Sequence, residues 1–182
     1  NAAVATTASI AGGAGTDTLV VNDATATLLT DTIKDGVTGF ETLKVVASTD
    51  TIAANVLAFS NLVIDTSTAA TITGISSSMA AGISLVGDQT TSLIMSLAST
   101  VGTTDTYGLT LDHTTASTDI DIPDFQIAGA EVLNVVSNGA AATGGSNTNS
   151  IEFGAENTSL SSINISGASN FTMTMDGGNE AF

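Results

Sequence analysis

Of the chain's 182 residues, 18 are acidic and only Lys34 and Lys44 are basic, giving a formal net charge of −16 with no Arg and no Cys. Phosphate recognition needs clustered Lys and Arg, so nucleic acid is excluded as a partner, and electrostatic attraction to anionic lipid is excluded for the same reason. The missing Cys rules out disulfide and thiolate chemistry, and a single His rules out multi-histidine zinc sites.

Hydrophobic residues make up 42% of the chain but aromatic ones only 4%, so the core has to be built from small and β-branched side chains. Val, Ile, Leu, Ala and Thr in this proportion favour strands. One Pro against 18 Gly leaves the turns to Gly, Asn, Asp and Ser. The length suits one domain or two small ones. An excess of negative charge repels itself in a compact state unless counter-ions collect on it, which makes calcium, a hard ion with oxygen ligands, the expected cofactor. No run is long enough to span a bilayer, and Asn1-Ala2-Ala3-Val4 has neither a basic nor an apolar leader region. The sequence reads as a soluble piece of a longer chain whose export signal lies elsewhere.

In chain order, residues 1–11 carry little pattern and read as the tail of a preceding unit. Gly12-Gly13-Ala14-Gly15-Thr16-Asp17-Thr18-Leu19-Val20 then fits the nonapeptide G-G-x-G-x-D-x-U-x at every defined position. In that pattern Gly13 and Gly15 permit a tight turn, the turn carbonyls and Asp17 face a calcium ion, and Leu19 enters the core. The alternative is an ordinary Gly-rich turn before a strand. Strands are expected at 18–21, 42–47, 61–65, 83–86, 93–97, 109–112, 132–136, 162–166 and 171–175, most with a period-two alternation such as Leu43/Val45, Leu109/Leu111 and Ile163/Ile165. Helix is scarce: over 51–59, one or two turns would place Ile52, Val56 and Phe59 inward. Gly144 to Ile151 resembles a worn nonapeptide, with Asn149 at the Asp position.

Acidic residues gather in segments read as loops: Asp23, Asp31 with Asp35, and Asp119-Ile120-Asp121-Ile122-Pro123-Asp124. Alternation puts Asp119 and Asp121 on one face, where two carboxylates can share a hard cation. The alternative is solvated surface charge. The predicted metal ligands are therefore Gly13, Gly15, Asp17, Asp23, Asp31, Asp119, Asp121 and Asp124.

The chain also repeats itself. Gly39-Phe40-Glu41-Thr42-Leu43-Lys44-Val45-Val46 returns 90 positions later as Gly129-Ala130-Glu131-Val132-Leu133-Asn134-Val135-Val136, and an ungapped register from Thr16 to Ser48 holds ten identities over 33 positions. Beyond Asn138 the echo resumes at a shift of 101, with 59–64 answered by 160–165 and 70–73 by 171–174. The expected units are 1–101 and a truncated 102–182, or one continuous domain. Neighbouring strand centres lie about 20 to 25 residues apart, which suits one coil of a β-solenoid. The fold expected is all-β, a repeat-built parallel β-solenoid or β-roll, with tandem β-sandwich domains as the alternative.

Catalytic readings fail on spacing. His113 with Thr114 and Ser117 lacks any G-x-S-x-G elbow, and its counterpart in the first unit is Asp23. Glu41 and Glu131 would suit a glycosidase pair, but identical repeat positions point to a structural role, such as holding a backbone donor at a turn. No enzyme activity is expected, and the sequons at Asn157, Asn164 and Asn170 follow from the Asn, Ser and Thr content.

The nonapeptide followed by G-F-E-T-L-K-V, N-L-V-I-D-T-S and L-S-S-I-N-I-S-G resembles the repeat region of Gram-negative bacterial surface-layer proteins of the RTX type, exported by type I secretion. The resemblance spans most of residues 12–176. It implies an extracellular, calcium-dependent β-rich segment that packs with other copies into a paracrystalline coat, with a cell-surface polysaccharide as a further partner. A stalk or binding segment of a large secreted adhesin is the alternative. Tandem nonapeptides, which the family carries, are absent from this sequence.

Overall fold

The computed structural model describes residues 9–22, 36–46, 51–68, 70–102, 104–113, 119–139 and 148–175. It is all-β and parallel. A seven-stranded sheet contains β2 (Thr18–Val21), β4 (Thr42–Val45), β6 (Asn61–Ile64), β8 (Ile83–Leu85), β10 (Thr106–Leu111), β12 (Val132–Ser137) and β14 (Ser162–Ser166), in that spatial order. A six-stranded sheet contains β5 (Thr51–Ala53), β7 (Ala70–Ile75), β9 (Leu93–Leu97), β11 (Asp121–Ala128), β13 (Thr148–Phe153) and β15 (Asn170–Met175). The short strands β1 (Ile10–Ala11) and β3 (Val37–Thr38) pair separately, also in parallel.

From β4 onward the chain visits the two sheets alternately, so each pair of successive strands is one coil of a β-solenoid. The rung Leu19, Leu43, Leu62, Ile83, Leu109, Val135 and Ile165 advances by 24, 19, 21, 26, 26 and 30 residues, so from β4 onward no coil is shorter than the one before it. On the other sheet Ala70, Leu93, Phe125, Phe153 and Met175 form a matching rung. Both sheets cross residue 101 without a break, and one apolar core runs from Val21 to Leu160. Period-two alternation builds this core directly: every second residue of a strand faces the opposite sheet, and stacking coils seals it above and below. Phe125 and Phe153 meet edge to face, with centroids 5.8 Å apart.

Three local expectations are corrected. The 51–59 segment is not a helix of one or two α-turns. The β-branched Thr51 and Ile52 extend into β5, and only Ala54–Val56 winds as a 3-10 turn, although Ile52 and Phe59 are buried as expected. The acidic 119–124 segment is not a loop. Most of it is the start of β11, where Ile122 enters the core and Pro123 sits at a register shift, the place in a strand where a missing N–H is tolerated. Asn149 is no turn ligand: it is a buried residue of β13, a strand the composition of the segment concealed. A short α-helix, α1 (Ser77–Ala80), is capped by Ser76 and drives Met79 and Ala80 into the core.

Candidate functional site

The two copies of G-x-E build the same corner. Gly39 and Gly129 hold φ of 69° and 78°, the left-handed turn that lets the chain swing from one strand into the next. At the first corner Glu41 Oε2 accepts the Asp17 N–H at 2.9 Å, while the Asp17 carbonyl accepts the N–H groups of Glu41 and Thr42, both at 3.1 Å. At the second, Glu131 Oε2 accepts the Asp105 N–H at 2.7 Å, and the Asp105 carbonyl accepts Glu131 and Val132 at 3.0 and 3.1 Å. Each Glu carbonyl then serves the next coil: Glu41 receives Ser60 and Asn61, and Glu131 receives Ser161 and Ser162. The role expected for these glutamates, binding a backbone donor at a turn, is what their carboxylates do.

The corner reveals what the sequence alignment mis-set. Asp17 answers Asp105, a shift of 88, whereas Glu41 answers Glu131 at 90 and Ser60 answers Ser161 at 101. The ungapped register from Thr16 therefore gives way to one in which two residues enter the second unit between these points. The matches Thr16/Thr106 and Leu19/Leu109 come from abundant residue types, and the true counterpart of Leu19 is the buried Tyr107. Asp105 was missed for that reason; Gly102 stands three residues before it, whereas Gly15 stands two before Asp17, so the two segments share no common spacing.

Asp17 Oδ2 and Asp105 Oδ2 are each buried with no hydrogen-bond partner among the described residues. A carboxylate oxygen withdrawn from water without a donor is unfavourable, and here it recurs at two equivalent corners, each beside a glutamate. The Gly-rich loop shapes the first corner. Gly13 and Gly15 take φ of 101° and 128°, and a Cβ at Gly12 would run into the Gly39 carbonyl of the next coil. The donor set, carboxylate and main-chain oxygens, fits a hard cation such as calcium. No group of three or more His, Cys, Asp or Glu side chains converges among the described residues, so carbonyls would have to complete any coordination.

The remaining predicted ligands lie elsewhere. Asp119, Asp121 and Asp124 sit at and just before the start of β11, remote in sequence and sheet from Asp17, and Asp23 and Asp31 fall outside the described residues. Asp119 is half-buried and Asp121 exposed, on either side of the buried Ile120. Neighbouring coils are tied to this segment: Ser150 Oγ donates to Asp121, the Asp121 N–H donates to Asp88 Oδ1 at 2.9 Å, and Asp124 accepts Ser92 Oγ at 2.6 Å. Within β11, Asp124 also accepts Gln126 Nε2 at 2.9 Å. Lys44 crosses the other sheet to Asp65 of the next coil at 2.7 Å.

Buried amides complete the coil-to-coil bonding. Asn157 accepts the Ile127 N–H at 2.7 Å and donates to the carbonyls of Phe125 and Gly154 at 2.7 and 2.9 Å. Asn149 accepts the Ile120 N–H at 2.9 Å and donates to Ser137 Oγ and the Asn138 carbonyl. Burial pushes the Tyr107 hydroxyl well above the ordinary phenol range. His113 lies two residues past β10 in a shallow depression with Asp65 and Asp88, while Thr114 and Ser117 fall outside the described residues. Among the described residues, no helix is long and apolar enough to cross a membrane. No family model, no curated protein and no solved structure matches the chain.

Proposed function

We propose that the chain is a structural segment of a secreted bacterial surface-layer protein, stabilised by calcium and packed with other copies of itself into a lattice on the cell surface. The observation that carries the reading is the repeated corner: two equivalent Asp/Glu pairs, Asp17/Glu41 and Asp105/Glu131, each with a buried carboxylate oxygen that has no donor among the described residues. Calcium at these corners supplies the missing positive charge and clamps one coil to the next; Gly13 and Gly15 give the first corner its turn. An ion that binds the folded chain and not the unfolded one stabilises it by about 2.7 kcal/mol at a hundredfold excess over its dissociation constant. Magnesium dehydrates reluctantly and demands stricter octahedral geometry, so it substitutes poorly.

Thermal melts in calcium, magnesium and chelator test this. The midpoint should be highest in calcium, and the Asp105→Asn/Glu131→Gln double variant should lose a large part of that gain. Equal midpoints in all three conditions would remove calcium from the account. Electron microscopy separates the lattice from the adhesin stalk: calcium should bring the purified chain into ordered sheets, whereas a stalk stays dispersed until given a receptor or glycan.

A further inference from the structure

We propose that the Tyr107 hydroxyl completes the second corner by accepting a hydrogen bond from a water carried by the ion there, so that the two corners hold ions of different hydration. The inference rests on the reading of the corners as calcium sites. Tyr107 is 0% exposed, and its hydroxyl is buried with no hydrogen-bond partner among the described residues. A buried phenol ordinarily finds a partner, because an unpaired hydroxyl in apolar surroundings is unfavourable. Asp105 stands two residues before Tyr107, the spacing that shares one face of an extended chain, and its Oδ2 is a second orphan. Two unpaired polar groups thus fall at one end of β10.

Neither group satisfies the other directly. A plain water between them would serve the phenol but leave the carboxylate without a counter-charge. A hydrated cation serves both: the carboxylate ligates the ion, and an ion-bound water, polarised by the charge, donates to the phenol oxygen. Calcium accepts such mixed shells of carboxylate, carbonyl and water oxygens. The space is present, since Asp105, Thr106, Leu97, Ser76 and Val101 line a half-open depression of about 400 Å³. At the first corner Leu19 stands in the place of Tyr107 and offers no polar atom, and the depression beside it is lined by Glu41 rather than by the aspartate. An ion there is held by fewer waters.

Terbium, a hard ion that replaces calcium and emits when a nearby tyrosine is excited, tests this in the 182-residue chain, which has one Tyr and no Trp. β10 lies four strands from β2, about 19 Å, so tyrosine-sensitised emission reports the second corner alone. That emission should saturate, be displaced by calcium, persist in Asp17→Asn and vanish in Asp105→Asn. Decay after direct excitation, compared in H2O and D2O, counts bound waters and should find more of them in Asp17→Asn than in Asp105→Asn. Tyr107→Phe added to Asp17→Asn should weaken calcium binding, read by calorimetry, about two- to tenfold, the size of one net hydrogen bond. In chelator the same chain should melt no lower than its parent, because it has lost an unpaired hydroxyl. Added to Asp105→Asn, Tyr107→Phe should leave calcium binding unaltered. Glu41→Gln and Glu131→Gln replace the two Asn variants should either lose its β-sheet circular dichroism. A dry ion at the second corner overturns the proposal, as does a calcium affinity that Tyr107→Phe leaves unchanged. A stability difference equal in calcium and in chelator assigns the hydroxyl to a plain buried water and overturns it too. Any of these beside a melting midpoint raised by calcium sinks the role of Tyr107 alone; no calcium effect and no terbium emission in the wild type sink the calcium reading with it.

Discussion

The coil of β12 and β13 and the coil of β14 and β15 are consecutive, bonded to each other along both sheets, and patterned alike. In the first, Leu133, Val135, Ile151 and Phe153 are all sealed; in the second, Ile163, Phe171 and Met175 are half-buried and Ile165 and Met173 open to solvent. Alternation is the same in both, so burial in this fold is set by neighbours rather than by pattern. In these two coils an inward residue is sealed where a coil lies on each side of it. The first coil has both; the second has one among the described residues.

The largest expected consequence is at Leu133, fully buried between Tyr107 and Ile163 on its rung. Leu133→Ala removes a packed side chain from a core with little room to collapse and should cost about 2 to 5 kcal/mol. Urea unfolding would read this as a lower midpoint at an unchanged slope. An unaltered midpoint would show that the inner coils are not sealed as described, and the contrast with the end coil would vanish.

A smaller effect separates the two coils at their connection. Asn157 lies in the turn between β13 and β14 and reaches back to β11, where the register shift at Pro123 has disturbed regular pairing. Asn157→Ala leaves the Ile127 N–H without its acceptor. The Phe125 carbonyl keeps the Gly154 N–H at 3.1 Å, so only one group is orphaned. The expected loss is about 1 to 3 kcal/mol, the range for one buried unsatisfied donor. Hydrogen exchange at Ile127 should accelerate more than at Leu133; equal protection at both in the variant would mean that the amide is not what holds this turn.

The sequence made the strands legible where alternation was clean. Expected spans 18–21, 93–97 and 162–166 coincide with β2, β9 and β14, and 42–47, 61–65, 83–86, 109–112, 132–136 and 171–175 overlap their strands with shifted ends. Strands written in polar or acidic residues were hidden. Asp121 and Asp124 looked like loop charge, and Thr148 to Ser150 like a turn, because an outward-facing strand residue carries no hydrophobic signal and only the partner coil reveals it. The corner glutamates were legible as a repeat, but Asp105 was not, since its tie to Glu131 is made by a backbone N–H that any residue possesses. The buried roles of Asn149 and Asn157 were equally invisible, because a turn-forming Asn and a buried, bridging Asn read alike in one sequence.

The smallest expected effect is the most discriminating. Ile165 and Val135 are partners on one rung, so truncating each to Ala asks the same question of two coils. Complete burial of an aliphatic side chain is worth about 1.5 to 3 kcal/mol relative to leaving it in water. Val135 is 1% exposed and Ile165 47%, so a dilute monomer should lose under about 1 kcal/mol on Ile165→Ala, less than on Val135→Ala, although isoleucine sheds more atoms. Denaturation midpoints for both variants in dilute solution decide the matter: a penalty at Ile165 as large as that at Val135 means that Ile165 is already covered within one chain, and the contrast between the two coils is lost.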